Sequence, residues 1–152
     1  MPIETVLLAV GEEDDDRIGR FVEETAKVAE PSGATVTVLH VFTDEELRDV
    51  VDQLDFDPDA GSPDPDAVAQ RLGSVRRVTE GLEDAGVDYE VRGEVGEASD
   101  RITGVAEEIA ADRIVIGGRR RSPTGKAVFG STAQSVILDA PSPVTFVRSE
   151  AA

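Results

Sequence analysis

The chain has 152 residues, the size of one domain, and we expect residues 1–152 to fold as a single unit. It has no cysteine and one histidine, which excludes disulfides, thiolate metal sites and a histidine-rich metal centre. A net charge of −17 argues against nonspecific binding to nucleic acid or to an anionic membrane, because both surfaces would repel the protein.

The acidic composition is also poor in lysine. Lys27 and Lys126 are lysines, and the other basic residues are arginines. This suggests a halophilic archaeal cytosol, where the Debye length falls to roughly 3 Å or less and self-repulsion is screened. A strongly acidic protein of an ordinary cell is the alternative. The N-terminus has no basic segment, and the apolar run 6–10 is too short for a signal peptide or membrane span, so we expect a cytoplasmic protein.

The first part of the chain predicts strand, helix, strand. Residues 5–10 form a continuous apolar run, which is typical of a strand buried on both faces. Apolar residues then recur at helical spacing from Ile18 to Ala29, and Pro31-Ser32-Gly33 ends that pattern. Residues 35–41 are rich in β-branched side chains and predict the second strand.

The middle of the chain is less regular. Residues 45–54 predict a short helix, and the acidic, proline-rich stretch 55–65 is expected to be mobile. A long helix is predicted next, ended by Gly86, from the spacing of Val68, Leu72, Val75, Val78 and Leu82. Residues 87–91 form a weaker third strand.

The last part predicts a helix at 98–109, a buried strand at 112–116, a helical stretch within 128–138 and a fifth strand at 143–148. Strands and helices therefore alternate with short connections. This order predicts an α/β domain with a doubly wound, five-stranded parallel sheet and helices on both faces.

The loop after the fourth strand carries the best candidate site, because doubly wound sheets bind ligands outside the carboxyl ends of their strands. Gly117 and Gly130 let backbone N–H groups approach an anion, and Ser131 lies near the start of the last helix. Four of the 15 basic residues lie within eight positions of this loop: Arg119, Arg120, Arg121 and Lys126. The pattern predicts a polyphosphate site; the alternative is a solvated basic turn paired with surface carboxylates.

This loop resembles that of the universal stress protein family, whose ATP-binding members carry Gly-x2-Gly-x9-Gly-[Ser/Thr] at this place. Gly117, Gly130 and Ser131 match the motif, and Arg120 replaces its second glycine. The resemblance spans the chain and includes the first strand, Leu39-His40-Val41, residues 93–117 and the closing Pro-Ser-Pro-Val segment. A Walker A loop is excluded, because Ala127 follows Lys126 where serine or threonine is required.

The resemblance implies the sheet order 3-2-1-4-5 of adenine nucleotide alpha hydrolase-like folds. It also implies that the backbone of Val41 faces adenine, and that ribose or phosphates contact Gly117, Gly130, Ser131 and Thr132. Charge adds Arg119, Arg120 and Lys126 to the nucleotide-binding candidates. Mg²⁺ accompanying ATP could use one of the acids in residues 12–16.

Two departures leave the function open. The family's ATP-binding members carry aspartate directly after the first strand, where this chain has Gly11, and Arg120 adds a side chain near the phosphates. The first hypothesis is a stress or signalling module that binds ATP or another adenine nucleotide. The second is a nucleotide-independent interaction protein of the same fold. An ATP-using enzyme ranks last, because no strong nucleophile or general base is evident, so we expect at most a weak ATPase.

The resemblance also implies a homodimer. The last strand lies at a sheet edge, where a second copy can pair, and Val144 and Phe146 are the candidate interface residues. Alternatively, Pro141, Pro143 and Arg148 protect that edge.

Three further patterns predict no site. His40 is expected to be a structural histidine of the core. Asp55-x-Asp57-x-Asp59 suggests a calcium loop, but Ala60 and Asp66 stand where an EF-hand needs glycine and glutamate. A phosphoacceptor receiver domain needs an aspartate and a lysine at strand ends where this chain has Arg92-Gly93 and Arg148.

Overall fold

The fold is that of a computed structural model, which describes residues 3–11, 14, 17–53, 64–118 and 131–148. Its five strands are all parallel and lie in the order β3-β2-β1-β4-β5, which confirms the predicted fold class and sheet order. The strands are β1 (Thr5–Ala9), β2 (Thr35–Phe42), β3 (Asp88–Val95), β4 (Arg113–Gly118) and β5 (Val144–Arg148).

Helices cover both faces of this sheet. In the described residues they are α1 (Ile18–Ala29), α2 (Asp44–Gln53), α3 (Pro65–Gln70), α4 (Gly73–Asp84), α5 (Ala98–Glu108) and α6 (Ser131–Asp139). Alternate residues of a strand point to opposite faces, so Val6 and Leu8 pack with α1 and α4, whereas Leu7 packs with α5 and α6. None of these helices has the length and apolar character that crossing a membrane would require.

The predicted long helix over 68–82 is wrong, because the chain breaks into α3 and α4. Arg71 ends α3, and Leu72 is extended at φ −70° and ψ 137° before α4 begins. The apolar spacing did not show the break because both helices bury apolar residues. Val68 of α3 packs with Phe42, whereas Val75 of α4 packs in the main core. The third strand is also longer than predicted, since β3 pairs with β2 as far as Val95.

Helix α3 covers the β3 edge of the sheet. A Cβ at Gly93 would lie 2.1 Å from the carbonyl oxygen of Pro65, so a side chain there is excluded by backbone. The N–H of Gly93 donates to Oδ1 of Asp66 at 2.7 Å. Asp66 thus attaches α3 to the sheet, whereas residues 55–63 of the predicted mobile stretch lie outside the described residues.

Candidate functional site

A buried ion pair closes the turn after β1. The N–H of Gly11 donates to Oδ2 of Asp14 at 2.7 Å, and Oδ1 of Asp14 lies 3.2 Å from Nε of Arg17. Asp14 is 8% exposed and Arg17 is 5% exposed. Position 11 is glycine where the family's ATP-binding members carry aspartate, but the carboxylate of Asp14, three residues later, accepts a hydrogen bond from the N–H of Gly11. The run of acids indicated negative charge here, but it did not single out Asp14.

Gly117 lies directly against this ion pair. A Cβ at Gly117 would be 2.5 Å from Oδ1 of Asp14 and 2.7 Å from Cζ of Phe21. Packing therefore favours glycine at this position, since both neighbours would have to move to admit a methyl group. As β1 and β4 are hydrogen-bonded neighbours, the carboxyl end of β4 lies beside that of β1.

His40 joins the ends of β1 and β2 to helix α2. Its Nδ1 lies 2.7 Å from the carbonyl oxygen of Val10, and its Nε2 lies 2.7 Å from Oε1 of Glu46. The ring is 2% exposed and packs edge-on against Phe42 at 4.5 Å between centroids. The predicted core position of His40 agrees with this burial. Glu46 was missed, because nothing in the spacing of a strand and a following helix places one side chain opposite another.

Four of the predicted nucleotide contacts lie in the described residues, and the three of them whose burial is described are partly exposed. Val41 is half-buried between buried His40 and Phe42. Gly117 and Thr132 are half-buried next to Ile116 and Ala133, which are buried. Ser131 is the first residue of α6, which connects the parallel strands β4 and β5 and therefore starts at the carboxyl edge of the sheet. The described candidates thus lie at the carboxyl ends of the strands.

The remaining nucleotide-binding predictions fall outside the described residues. They are Arg119, Arg120, Lys126 and Gly130, and the same holds for the acids at 12, 13, 15 and 16. Among the residues that the structure describes, no group of three or more histidine, aspartate or glutamate side chains is arranged to hold a metal ion. Both oxygens of Asp14 are engaged by Gly11 and Arg17.

Glu97 begins helix α5 just after β3 ends. Its carboxylate accepts a hydrogen bond from the hydroxyl of Ser99 at 2.6 Å and one from the N–H of Asp100 at 2.8 Å. These donors hold the pKa of the Glu97 carboxyl below its ordinary value. Glutamate is not among the favoured N-cap residues, which is why the sequence did not indicate this cap.

Comparison with known proteins decides the family. A model of the universal stress protein family matches residues 2–148. The chain belongs to this family. A universal stress protein of Mycolicibacterium smegmatis is 36% identical over 121 residues, which cover 79% of this chain and 92% of the relative.

Solved structures of universal stress proteins share the fold. One from Archaeoglobus fulgidus in complex with dAMP is 24% identical, with a TM-score of 0.61, and the match covers 96% of this chain and 98% of that one. Another, in complex with cAMP, is 19% identical, with a TM-score of 0.66 and coverage of 99% and 100%. At this level of identity both show that this chain shares their fold.

Proposed function

We propose that this universal stress protein binds an adenine nucleotide at the carboxyl ends of β1, β2 and β4. The observation that carries the proposal is the partial exposure of Val41, Gly117 and Thr132 at one edge of the sheet, beside buried neighbours. These are the positions at which the family's motif is expected to contact ligand. In doubly wound sheets, ligands bind at this edge, where the strand order reverses.

In this proposal the backbone at Val41 contacts adenine, and the phosphates lie over Gly117 and the first turn of α6. N–H groups at a helix start favour an anion, and those of Ser131 and Thr132 are the first in α6. The basic residues Arg119, Arg120 and Lys126 supply compensating charge. Relatives of the same fold bind cAMP and dAMP, which supports the adenine nucleotide class.

We further propose ATP as the nucleotide. The four basic residues of the loop match a triphosphate better than a monophosphate, because each arginine or lysine can neutralise a further anionic oxygen. Mg²⁺ would then accompany ATP through the phosphates, with few protein ligands, as it does in many nucleotide sites. Slow ATP turnover is the most that we expect.

A calorimetric titration tests the proposal. ATP, AMP and cAMP are added separately to the protein, with Mg²⁺ or with EDTA. We expect a micromolar complex with ATP that Gly130→Asp abolishes, because the new carboxylate would repel the phosphates. Gly104→Ala is the matched control, since a Cβ at this glycine of α5 meets nothing within 4 Å.

The outcomes of this titration separate the candidates. Absence of heat with any of the three nucleotides at millimolar concentration would overturn nucleotide binding and favour an interaction protein of the same fold. AMP binding as tightly as ATP would overturn only the triphosphate preference. Phosphate release that persists through many turnovers and disappears in Gly130→Asp would favour an enzyme.

We also propose that the chain forms a homodimer through β5. The opposite edge, β3, is covered by α3 through Asp66 and Gly93, whereas β5 pairs with β4 on its inner side. Val144 and Phe146 of β5 are half-buried, and α6 beside them exposes Ile137 at 43% and Leu138 at 74%. An apolar surface beside a sheet edge favours pairing with a second copy.

Sedimentation equilibrium tests the dimer. We expect a dimer mass for the unaltered chain and a monomer mass for Phe146→Asp, because a carboxylate at the interface would be desolvated without a partner. Circular dichroism establishes that the variant is folded, and Phe146→Leu serves as the conservative control. A monomer mass for the unaltered chain, or a folded Phe146→Asp that stays dimeric, would contradict this interface.

Finally, we propose that the protein works in a cytoplasm of high salt. The net charge of −17 produces self-repulsion that salt screens, so the melting temperature should rise between dilute buffer and molar KCl. Thermal unfolding followed by circular dichroism measures it, and an unchanged melting temperature would contradict this environment.

A further inference from the structure

Both ring nitrogens of His40 face an oxygen that can accept a hydrogen bond. The carbonyl oxygen of Val10, 2.7 Å from Nδ1, can only accept a hydrogen bond, so Nδ1 carries a hydrogen. An ionised Glu46 can also only accept, yet its Oε1 lies 2.7 Å from Nε2. A proton must therefore lie between Nε2 and Oε1, either on the ring opposite a carboxylate or on the carboxyl opposite a bare nitrogen.

We propose that His40 and Glu46 share one proton, and that this proton holds α2 against the end of β1 beside the nucleotide site. Without it, the Nε2 lone pair of a 2% exposed ring would face a carboxylate at hydrogen-bonding distance, which is repulsive. The contact between α2 and the sheet therefore weakens when the proton leaves at high pH, and it persists when the pH falls.

The first turn of α2 is built to present Glu46 to His40. The hydroxyl of Thr43 accepts from the N–H of Glu46 at 3.0 Å, and the carbonyl oxygen of Thr43 accepts from the N–H of Leu47 at 3.0 Å. Thr43-x-x-Glu46 is thus a capping-box sequence, in which glutamate ordinarily reaches back to the first residue. Here its Oε1 contacts His40 instead, so the side chain connects α2 to the sheet.

The elements that flank His40 carry several charged groups. Gly93, the residue paired with His40 on β3, donates to the carboxylate of Asp66 in α3. On the β1 side, Gly11 donates to the carboxylate of Asp14. Glu46 itself comes from α2, and the remaining neighbour is the apolar ring of Phe42. Of the three carboxylates on these elements, Glu46 contacts the ring, and Asp14 is paired with Arg17.

The proton couples α2 to the proposed ligand site because His40 lies next to two parts of that site, the chain after β1 and the end of β2. His40 fixes the carbonyl of Val10, next to Gly11, and precedes Val41 in β2. This coupling rests on the proposed nucleotide binding, whereas the shared proton does not. His40 and Glu46 are positioning residues, since they act on the strand ends and are not expected to contact the nucleotide.

Two measurements test the shared proton without any ligand. His40 is the one histidine of the chain, so long-range ¹H–¹⁵N correlation spectra of the unaltered protein report its two ring nitrogens without overlap. We expect Nδ1 to stay protonated while the proton between Nε2 and Glu46 is lost at high pH. Hydrogen-exchange protection factors for amides 48–53, corrected for intrinsic rates, should fall over the same pH range.

Two variants at position 46 distinguish a shared proton from a plain packing contact. The amide of Glu46→Gln can donate to Nε2 of a neutral ring, so protection in α2 should stay within about twofold of the unaltered protein at neutral pH and show no fall at high pH. Glu46→Ala removes the contact and should lower protection about tenfold at every pH, the size of a lost charge-assisted hydrogen bond.

Either of two results would overturn the shared proton: a ring that is neutral with hydrogen only on Nε2 at all pH values, or a Glu46→Gln profile that falls with pH as in the unaltered protein. For the coupling, the affinity for ATP should weaken at high pH in the unaltered protein and not in Glu46→Gln. If the unaltered protein binds no nucleotide at any pH, the proposed function fails, and the spectra and exchange data still decide the shared proton.

Discussion

Charged and titratable side chains are buried at the carboxyl end of the parallel sheet, whereas a charged side chain at its amino end is exposed. At the carboxyl edge, Asp14, Arg17 and His40 are 8%, 5% and 2% exposed. At the amino edge, the carboxylate of Asp112 is exposed and accepts hydrogen bonds from the N–H groups of Glu4 at 2.8 Å and Thr5 at 3.1 Å. Burying charge costs free energy even when it is paired, whereas an exposed carboxylate costs little. Among the described residues, the charged or titratable side chains that are almost fully buried thus lie at the end of the sheet where we propose binding.

The largest expected effect comes from breaking the buried ion pair. Asp14→Ala removes the carboxylate that lies 3.2 Å from Nε of buried Arg17 and frees the N–H of Gly11, so the free energy of unfolding should fall by about 3 kcal/mol. Asp112→Ala at the amino edge should cost much less, because Asp112 is exposed. Urea denaturation measures both variants. Equal losses would break the contrast between the two edges.

The next effect comes from filling the space at Gly117. Gly117→Ala forces both Asp14 and Phe21 to move, so the free energy of unfolding should fall by about 1–3 kcal/mol and nucleotide affinity should fall at least tenfold. Gly104→Ala, in an open position of helix α5, should raise stability by up to about 1 kcal/mol and leave affinity unchanged. Thermal unfolding and calorimetry measure the pair. Unchanged affinity in a folded Gly117→Ala would remove this residue from the site.

The smallest effect is a pH dependence at the amino edge. Hydrogen bonds from the N–H groups of Glu4 and Thr5 lower the pKa of the Asp112 carboxyl below its ordinary value. Its carboxylate therefore contributes stability that is fully present above about pH 3.8 and is lost as the pH falls through the lowered pKa. Asp112→Asn should make the free energy of unfolding less dependent on pH in acid, with nucleotide binding unchanged. An identical acid profile would show that these hydrogen bonds do not stabilise the fold.

The sequence predicted the strands well where apolar runs are continuous. Residues 6–8 and 114–116 are buried. Their alternation with helices predicted a doubly wound parallel sheet, whose strand order the family resemblance implied. Boundaries failed where burial is one-sided: β3 continues through Arg92 and Glu94 because it pairs with β2, and Leu72 interrupts a spacing that reads as one helix.

The candidate site was predictable only in part. Glycine spacing and basic charge indicated Gly117 and the start of α6, because those properties are local. The partners Asp14, Glu46 and Asp66 depend on contacts between distant segments: Glu46 meets a strand residue across a turn, and Asp66 meets Gly93 across the sheet edge. No periodicity encodes such contacts.

Amide chemical-shift mapping with ATP tests the central claim most directly, because both edges are read in one spectrum. We predict that saturating ATP perturbs the amides of Gly11, Val41, Gly117 and Thr132 and leaves those of Thr5, Thr35 and Asp112 unchanged. Perturbations centred on the amino edge, or none at millimolar ATP, would contradict binding at the carboxyl edge.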